Sequence, residues 1–225
     1  GVPEAYFGEQ LDQHVETSVR AALQQLADLG AELVPVELPH TRYAIPAYYT
    51  VANSEASSNL ARYDGVAYGM RADGKGDLDS MYSATRTQGF GDETKLRILL
   101  GTFCLCSGYY DAYYLRATKV RTLVRRDFEQ AWQHCDVIAA PTSPIPAFEL
   151  GEKLDDPLQM YLCDVLTTPA NLAGVPALSI PCQGTPEGLP IGLQLLGPVL
   201  GEAKLLQVAT SYQRATDHHQ QEPAL

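Results

Sequence analysis

The chain has 225 residues, 45% of them hydrophobic, and a formal net charge of −11 at pH 7. That length and apolar share suit one globular domain with a sizeable core, or part of a larger one. The acidity argues against a chain that grips nucleic acid by itself, because neutralising phosphates supplies most of that affinity. The longest apolar run, Ile98 to Cys106, is broken by Gly101 and falls well short of the roughly 20 residues of a membrane span.

Asp12 is placed to cap a helix in which Val15, Val19, Ala22, Leu23, Leu26 and Leu29 recur at helical spacing, and Gly30 closes it. Ala31 to Leu38 reads as a strand that Pro35 confines to a sheet edge. Pro46 fits the first turn of a helix running to about Arg62. Val66 to Gly91 shows little periodicity and reads as extended and irregular. Its Gly74-Lys75-Gly76 lacks the spacing of a phosphate loop. Asp92 is expected to cap a helix over Glu93 to Cys106, and a long helix follows from about Tyr110 to His134. That second helix carries an apolar stripe from Tyr113 to Ala131, with Lys119, Arg121, Arg125 and Arg126 read as a solvated face. Asp136 to Ala140 is a short strand, left through the proline-rich run Pro141 to Pro146. Pro157 to Leu172 reads as helix interrupted at Pro169, and Ala177 to Pro181 and Ile191 to Gly197 as strands joined by a turn at Gly188. Gly201 to Thr216 is a final helix. Strands separated by helices predict an α/β fold with a mixed β-sheet covered by helices.

The chemistry-bearing residues are sparse. The five cysteines show no CxxC spacing and read as buried, reduced thiols. His14, His40 and His134 fall near element ends and His218 and His219 near the end of the chain, none in a recognisable triad. There is no G-x-S-x-G elbow and no H-E-x-x-H. No secretory or transit signal is evident. The opening on Gly1, not Met, is expected of a fragment or processed product.

One stretch, Glu55 to Gly65 (EASSNLARYDG), is dense in small polar residues and sets Asn59, Arg62, Tyr63 and Asp64 within two turns. Small residues let another backbone or a ligand come close; tight helix packing ending in a turn explains them equally well. Arg97, inside KLRILLGT, needs an anionic partner. Glu93 one turn earlier is the ordinary one, and a substrate carboxylate held by the guanidinium fork is the functional one. Asp164 lies among apolar residues in MYLCDVLTTPANLAG, where a carboxylate caps a loop or receives an ammonium. Together, Arg97 and Asp164 would read both ends of a free amino acid. Of the 13 tyrosines, four fall in Tyr109, Tyr110, Tyr113 and Tyr114, for which aromatic core packing is the expectation. Tyr48 and Tyr49 open the serine-bearing helix, and either hydroxyl would reach a substrate amide or simply pack.

EASSNLARYDG, GFGDETKLRILLGT (Gly89 to Thr102), GYYDAYYLRATKVRTLV (Gly108 to Val124), DDPLQMYLCDVLTTPANLAGVPALSIPC (Asp155 to Cys182) and LPIGLQLLGP (Leu189 to Pro198) occur in one order. Together they resemble the C-terminal half of the A subunits of aspartyl/glutamyl-tRNA amidotransferases, which are amidase-signature enzymes. The last two words are similar to amidases generally.

The resemblance implies the amidase-signature fold, with residues 1–225 as the C-terminal portion of one such domain. It implies a cytoplasmic glutaminase whose ammonia passes to a partner B subunit. That partner uses ATP and Mg to amidate Glu or Asp misacylated on tRNA-Gln or tRNA-Asn, and a small C subunit binds the other two. The tRNA is contacted mainly through the partner; this chain binds no metal or cofactor and no membrane. The family's chemistry uses a nucleophilic Ser, a bridging Ser in a cis peptide and a Lys base in a Gly/Ser-rich signature. No GGSSGG-like run is present, and Ser57-Ser58 lacks the glycines. No catalytic residue is therefore expected in this chain, which alone should be inactive. What carries over is substrate binding: Arg97 for the glutamine carboxylate, Asp164 for its amino group and Tyr48 lining the pocket. The alternatives are a stand-alone amidase acting on other small amides and a truncated, non-catalytic binding module.

Overall fold

The computed structural model describes residues 1–8, 10–72, 76–152, 160 and 162–222. They group into two compact units, Gly1–Ile45 with Arg121–Leu225, and Pro46–Val120.

The first unit is built on strands. β1 (Val2–Pro3) pairs in parallel with β2 (Pro35–Val36). β3 (Ile138–Pro141), β5 (Ile191–Leu196) and β4 (Ala177–Cys182) form an antiparallel sheet with β5 central. The Gly1 amine donates to Val137 O at 2.7 Å and Ala139 N–H donates to Gly1 O at 2.9 Å, which ties the β1 end of the chain to β3. β3, β4 and β5 are where the sequence places them, to within two residues; β1 was not anticipated, and β2 is reduced to two residues of the expected Ala31 to Leu38.

α1 (Gln13–Asp28) starts where Asp12 accepts from His14 N–H at 2.8 Å and Val15 N–H at 3.3 Å. It stops at Gly30, whose φ of +101° lets Ala31 N–H reach back to Leu26 O at 3.0 Å. Val15, Val19, Ala22, Leu23 and Leu26 of α1 pack with Ile191, Leu193 and Leu195 of β5. Leu205, Ala209 and Tyr212 of the final helix, Glu202–Ala215, join the same core. Side chains alternate along a strand, so Gly192, Gln194 and Leu196 project from the other face of β5. Gly192 is required there. A Cβ would come within 2.7 Å of both Thr142 Oγ1 and Ser179 Oγ, which hydrogen-bond each other at 2.8 Å.

The second unit is helical. α2 (Ala44–Leu60) enters it, followed by α3 (Leu78–Gly89) and α4 (Asp92–Leu105); α5 (Tyr114–Ala131) leaves it. α3 corrects the irregular reading of Val66 to Gly91. Only Met81 and Thr85 are buried on it, too few to give a visible apolar period, and its start is fixed by Asp77 accepting from Ser80 N–H at 2.9 Å. Gly91, not Asp92, stands at the N-cap of α4. Tyr109, Tyr110 and Tyr113 lie in turns before α5 and are not core, and Tyr114 opens that helix. Tyr109, Tyr110 and Tyr113 are 40–46% exposed. Tyr109 and Tyr113 stack on each other and on Phe103, with Phe103–Tyr109 centroids 4.4 Å apart.

A short helix α6 (Thr168–Ala173) carries Pro169 in its first turn, and α7 is the final Glu202–Ala215 helix. The Pro157 to Leu172 helix falls partly outside the described residues, as does Gly74-Lys75. Among the described residues no helix is long and apolar enough to cross a membrane.

Candidate functional site

Two of the predicted binding residues meet in the second unit, and small side chains are the cause. A Cβ on Gly101 of α4 would collide with the backbone carbonyl of Asn53 and lie 2.8 Å from Ser57 Cβ on α2. Ser57 Oγ and Thr102 Oγ1 hydrogen-bond at 2.9 Å across the same contact. Glycine and serine thus let the two helices approach closely. One turn back along both helices, Arg97 lies beside Tyr48 and Tyr49. Its guanidinium stands near the Tyr48 side chain, which helps hold its charge, and sits 5.7 Å from the Tyr49 ring centroid.

Arg97 Nε also donates to Glu93 Oε1 at 2.8 Å. That bond, opposed by partial burial and reinforced by Tyr48, holds the guanidinium above its ordinary pKa. The ordinary partner is therefore real, and it uses one of five guanidinium donors. Arg97 is not core-bound: its side chain is 34% exposed, and Leu96, Leu99 and Leu100 around it are more exposed still.

The rest of EASSNLARYDG shapes the end of α2. Arg62 Nε donates to Asn59 O at 3.0 Å, and Asp64 accepts from Val66 N–H at 2.8 Å beside Gly65 at φ +80°. Arg86 of α3 donates to the carbonyls of Leu60 and Tyr63, each at 3.0 Å. Within this stretch Ser57 makes the close helix contact and Gly65 is buried in the turn that follows, while Ser58, Asn59, Ala61, Arg62 and Tyr63 are exposed.

Asp164 belongs to the first unit, in a turn over residues 163–167 that leads into α6. Its apolar sequence neighbours suggested a buried carboxylate; the side chain is exposed, because the turn buries Leu166 and Thr168 instead. The Asp164 carbonyl starts α6 by accepting from Thr168 N–H at 3.0 Å and Thr168 Oγ1 at 2.8 Å. Gln194 holds the same turn from below, donating to Leu166 O at 3.1 Å and to Pro141 O at 3.4 Å. Sequence reading passed over Gln194. The signal was there: a lone amide in the apolar run of a buried strand, IGLQLLG, is informative where its leucines are not. Thr142, Thr167, Asn171, Ser179 and Gln194 line a cavity of about 340 Å³ on this face of the sheet. It holds hydroxyls and amides, and its described lining contains no nucleophile–base pair.

His40 does have an acid. Its backbone N–H and its Nδ1 meet the two oxygens of Asp127, at 2.7 and 2.8 Å, and Asp127 is 3% exposed on α5. A carboxylate so engaged anchors the loop before α2. Of the cysteines only Cys182 is buried, Cys106 being exposed and the others half-buried, so the expectation of uniformly buried thiols holds at one position. Among the described residues no cluster of His, Cys, Asp or Glu is arranged to hold a metal.

Known proteins give this geometry its context. The amidase family model matches residues 1–206. The glutamyl-tRNA(Gln) amidotransferase A subunit of Myxococcus xanthus is 58% identical over 96% of this chain, and that of Moorella thermoacetica is 58% identical over 100% of it. The chain spans 45% and 46% of those two relatives, less than half their length. The crystal structure of the Thermotoga maritima counterpart superposes with a TM-score of 0.71 at 35% identity, covering 96% of this chain and 42% of that one. A 6-aminohexanoate cyclic dimer hydrolase, 19% identical with a TM-score of 0.74, shares the fold; the alignment covers 99% of this chain and 46% of the hydrolase. The α/β arrangement described above, carried with this likeness along almost its whole length, shows that the chain belongs to the amidase family.

Proposed function

We propose that this chain is the substrate-recognising part of the A subunit of a glutamine-dependent amidotransferase that acts on misacylated tRNA. The observation that carries this reading is 58% identity to glutamyl-tRNA(Gln) amidotransferase A subunits sustained along the entire chain. In this proposal the Arg97 fork takes the glutamine α-carboxylate, a planar group matched by its paired donors. Tyr48 lines the same pocket and steadies the guanidinium, and the exposed Asp164 carboxylate takes the α-ammonium. The nucleophilic Ser, the bridging Ser and the Lys base come from sequence this chain does not contain. It binds no cofactor of its own. The released ammonia passes to a B subunit, which uses ATP and Mg to activate Glu or Asp on tRNA. A C subunit holds the two together, and the assembly works in the cytoplasm.

The test is to purify the complete protein with B and C subunits and follow glutamine hydrolysis together with ammonia transfer to Glu-tRNA(Gln). Transfer supports the proposal. Hydrolysis of other small amides with no binding of B or C would make the protein a stand-alone amidase. Saturable glutaminase activity from the pure 225-residue chain would overturn the placement of the catalytic residues elsewhere.

A further inference from the structure

A polar amide in the middle of a buried strand needs a reason. Gln194 occupies the central strand β5, paired in register with Ala140 of β3 and Ser179 of β4, and is 3% exposed. Its neighbours Leu193, Leu195 and Leu196 are fully buried and apolar. An unsatisfied amide there would be costly, so its hydrogen bonds show what holds it. Both go to main-chain carbonyls: Pro141 at the end of β3 and Leu166 in the turn that carries Asp164. The turn also holds local bonds, from Thr167 and Thr168 back to the Asp164 carbonyl and from Val165 N–H to Leu162 O. Gln194 thus supplies a bond from this turn to the rigid sheet, two residues past Asp164.

We infer that Gln194 is a positioning residue for Asp164, fixing through the Leu166 carbonyl where the Asp164 carboxylate stands and so setting selectivity for an amide substrate that carries an α-ammonium. This rests on the role proposed above for Asp164. Gln194 touches no substrate. Losing its bond lets the turn relax, and the carboxylate then spends less time where an ammonium can meet it.

The experiment uses the complete protein with its B and C partners, and two amides: glutamine and 4-carbamoylbutyrate, which lacks the α-amino group. Gln194→Met keeps the volume and removes the donor. It should raise the glutamine KM about tenfold, the scale of one hydrogen bond, leaving kcat and the KM for 4-carbamoylbutyrate near their original values. Combined with Asp164→Asn it should add little, because both changes remove the same interaction. Gln194→Asn, shorter by one methylene, should give a smaller loss with the same selectivity and serves if the Met variant fails to fold. Equal KM rises on both amides, an unchanged glutamine KM or full additivity with Asp164→Asn would overturn the inference. If Asp164→Asn by itself leaves discrimination between the two amides intact, the underlying role of Asp164 is what fails. If Asp164→Asn abolishes discrimination and Gln194→Met does not, only the role of Gln194 falls.

Discussion

Arg97 gives its Nε–H to Glu93 at 2.8 Å, one helical turn earlier, while the Tyr48 side chain of α2 stands near the same guanidinium and helps hold its charge. The pair orients the fork without consuming it. Arg97→Ala in the complete protein should therefore raise the glutamine KM, the loss of one partner of a charged pair being on the order of 2–5 kcal/mol. Arg97→Lys should recover only part of this, since a point charge does not reproduce the planar fork. Steady-state kinetics beside a thermal melt decide the matter. A fall in Tm with an unchanged KM would mean that Arg97 serves only Glu93.

Asp164 is exposed, so its carboxylate contributes little to the core, and Asp164→Asn should leave Tm nearly unchanged. Its expected effect is on selectivity: glutamine should lose its advantage over amides lacking the α-amino group. Competition between the two substrates measures this directly. Equal loss on both would make Asp164 a structural residue of its turn.

Gly101 is the position where α4 meets α2. Gly101→Ala places a methyl group against the Asn53 carbonyl and 2.8 Å from Ser57 Cβ, and neither backbone can yield cheaply. Overpacking of this kind costs about 1–3 kcal/mol. A urea melt should show that loss. Because the same contact sets Arg97 beside Tyr48, the glutamine KM should rise with it.

These cases show what was legible in the sequence. The Arg97–Glu93 pair was, because a spacing of four on a helix puts two side chains on one face whatever the rest of the chain does. That Gly101 and Ser57 face each other was not, although the stretch containing Ser57 invited a close approach. A glycine announces room for a neighbour without naming it. α3 was missed because it buries so little that no apolar period forms, and its cap at Asp77 was its main local sign.

Cys182 is 3% exposed, and burial pushes its thiol from an ordinary value of 9.0 up to about 12. The folded state thus holds this proton more tightly than the unfolded state. The contribution to stability is whole below pH 9.0 and is lost as pH rises through about 12. Urea midpoints of the native protein should fall more steeply between neutral and alkaline pH than those of Cys182→Ala. At neutral pH a thiol reagent should modify exposed Cys106 in the folded protein and reach Cys182 only after unfolding. Rapid labelling of Cys182 in the native state would contradict this.

Asp127 accepts the backbone N–H of His40 and pairs with its ring nitrogen. Asp127→Ala would leave the buried side of that loop without its acceptor, at about 1–3 kcal/mol. Asp127→Asn keeps one acceptor oxygen and should cost less. Chemical denaturation of the two variants orders them, and the reverse order would mean that the amide fits that site worse than a small apolar side chain.

The sequence by itself determined the local architecture. Asp12 and Gly30 bound α1, apolar runs mark β3, β4 and β5, and the ordered words of EASSNLARYDG through LPIGLQLLGP point to the family. These are short-range facts, set by caps, periodicity and residue type within a few positions. Only the tertiary structure decided which distant polar groups meet. His40 and Asp127 lie 87 residues apart, and Gln194 and Leu166 lie 28 apart. It also left Asp164 exposed among residues that read as buried. A hydrogen bond between distant residues depends on where packing of the apolar faces brings the chain, and nothing in the spacing of the two partners records that outcome.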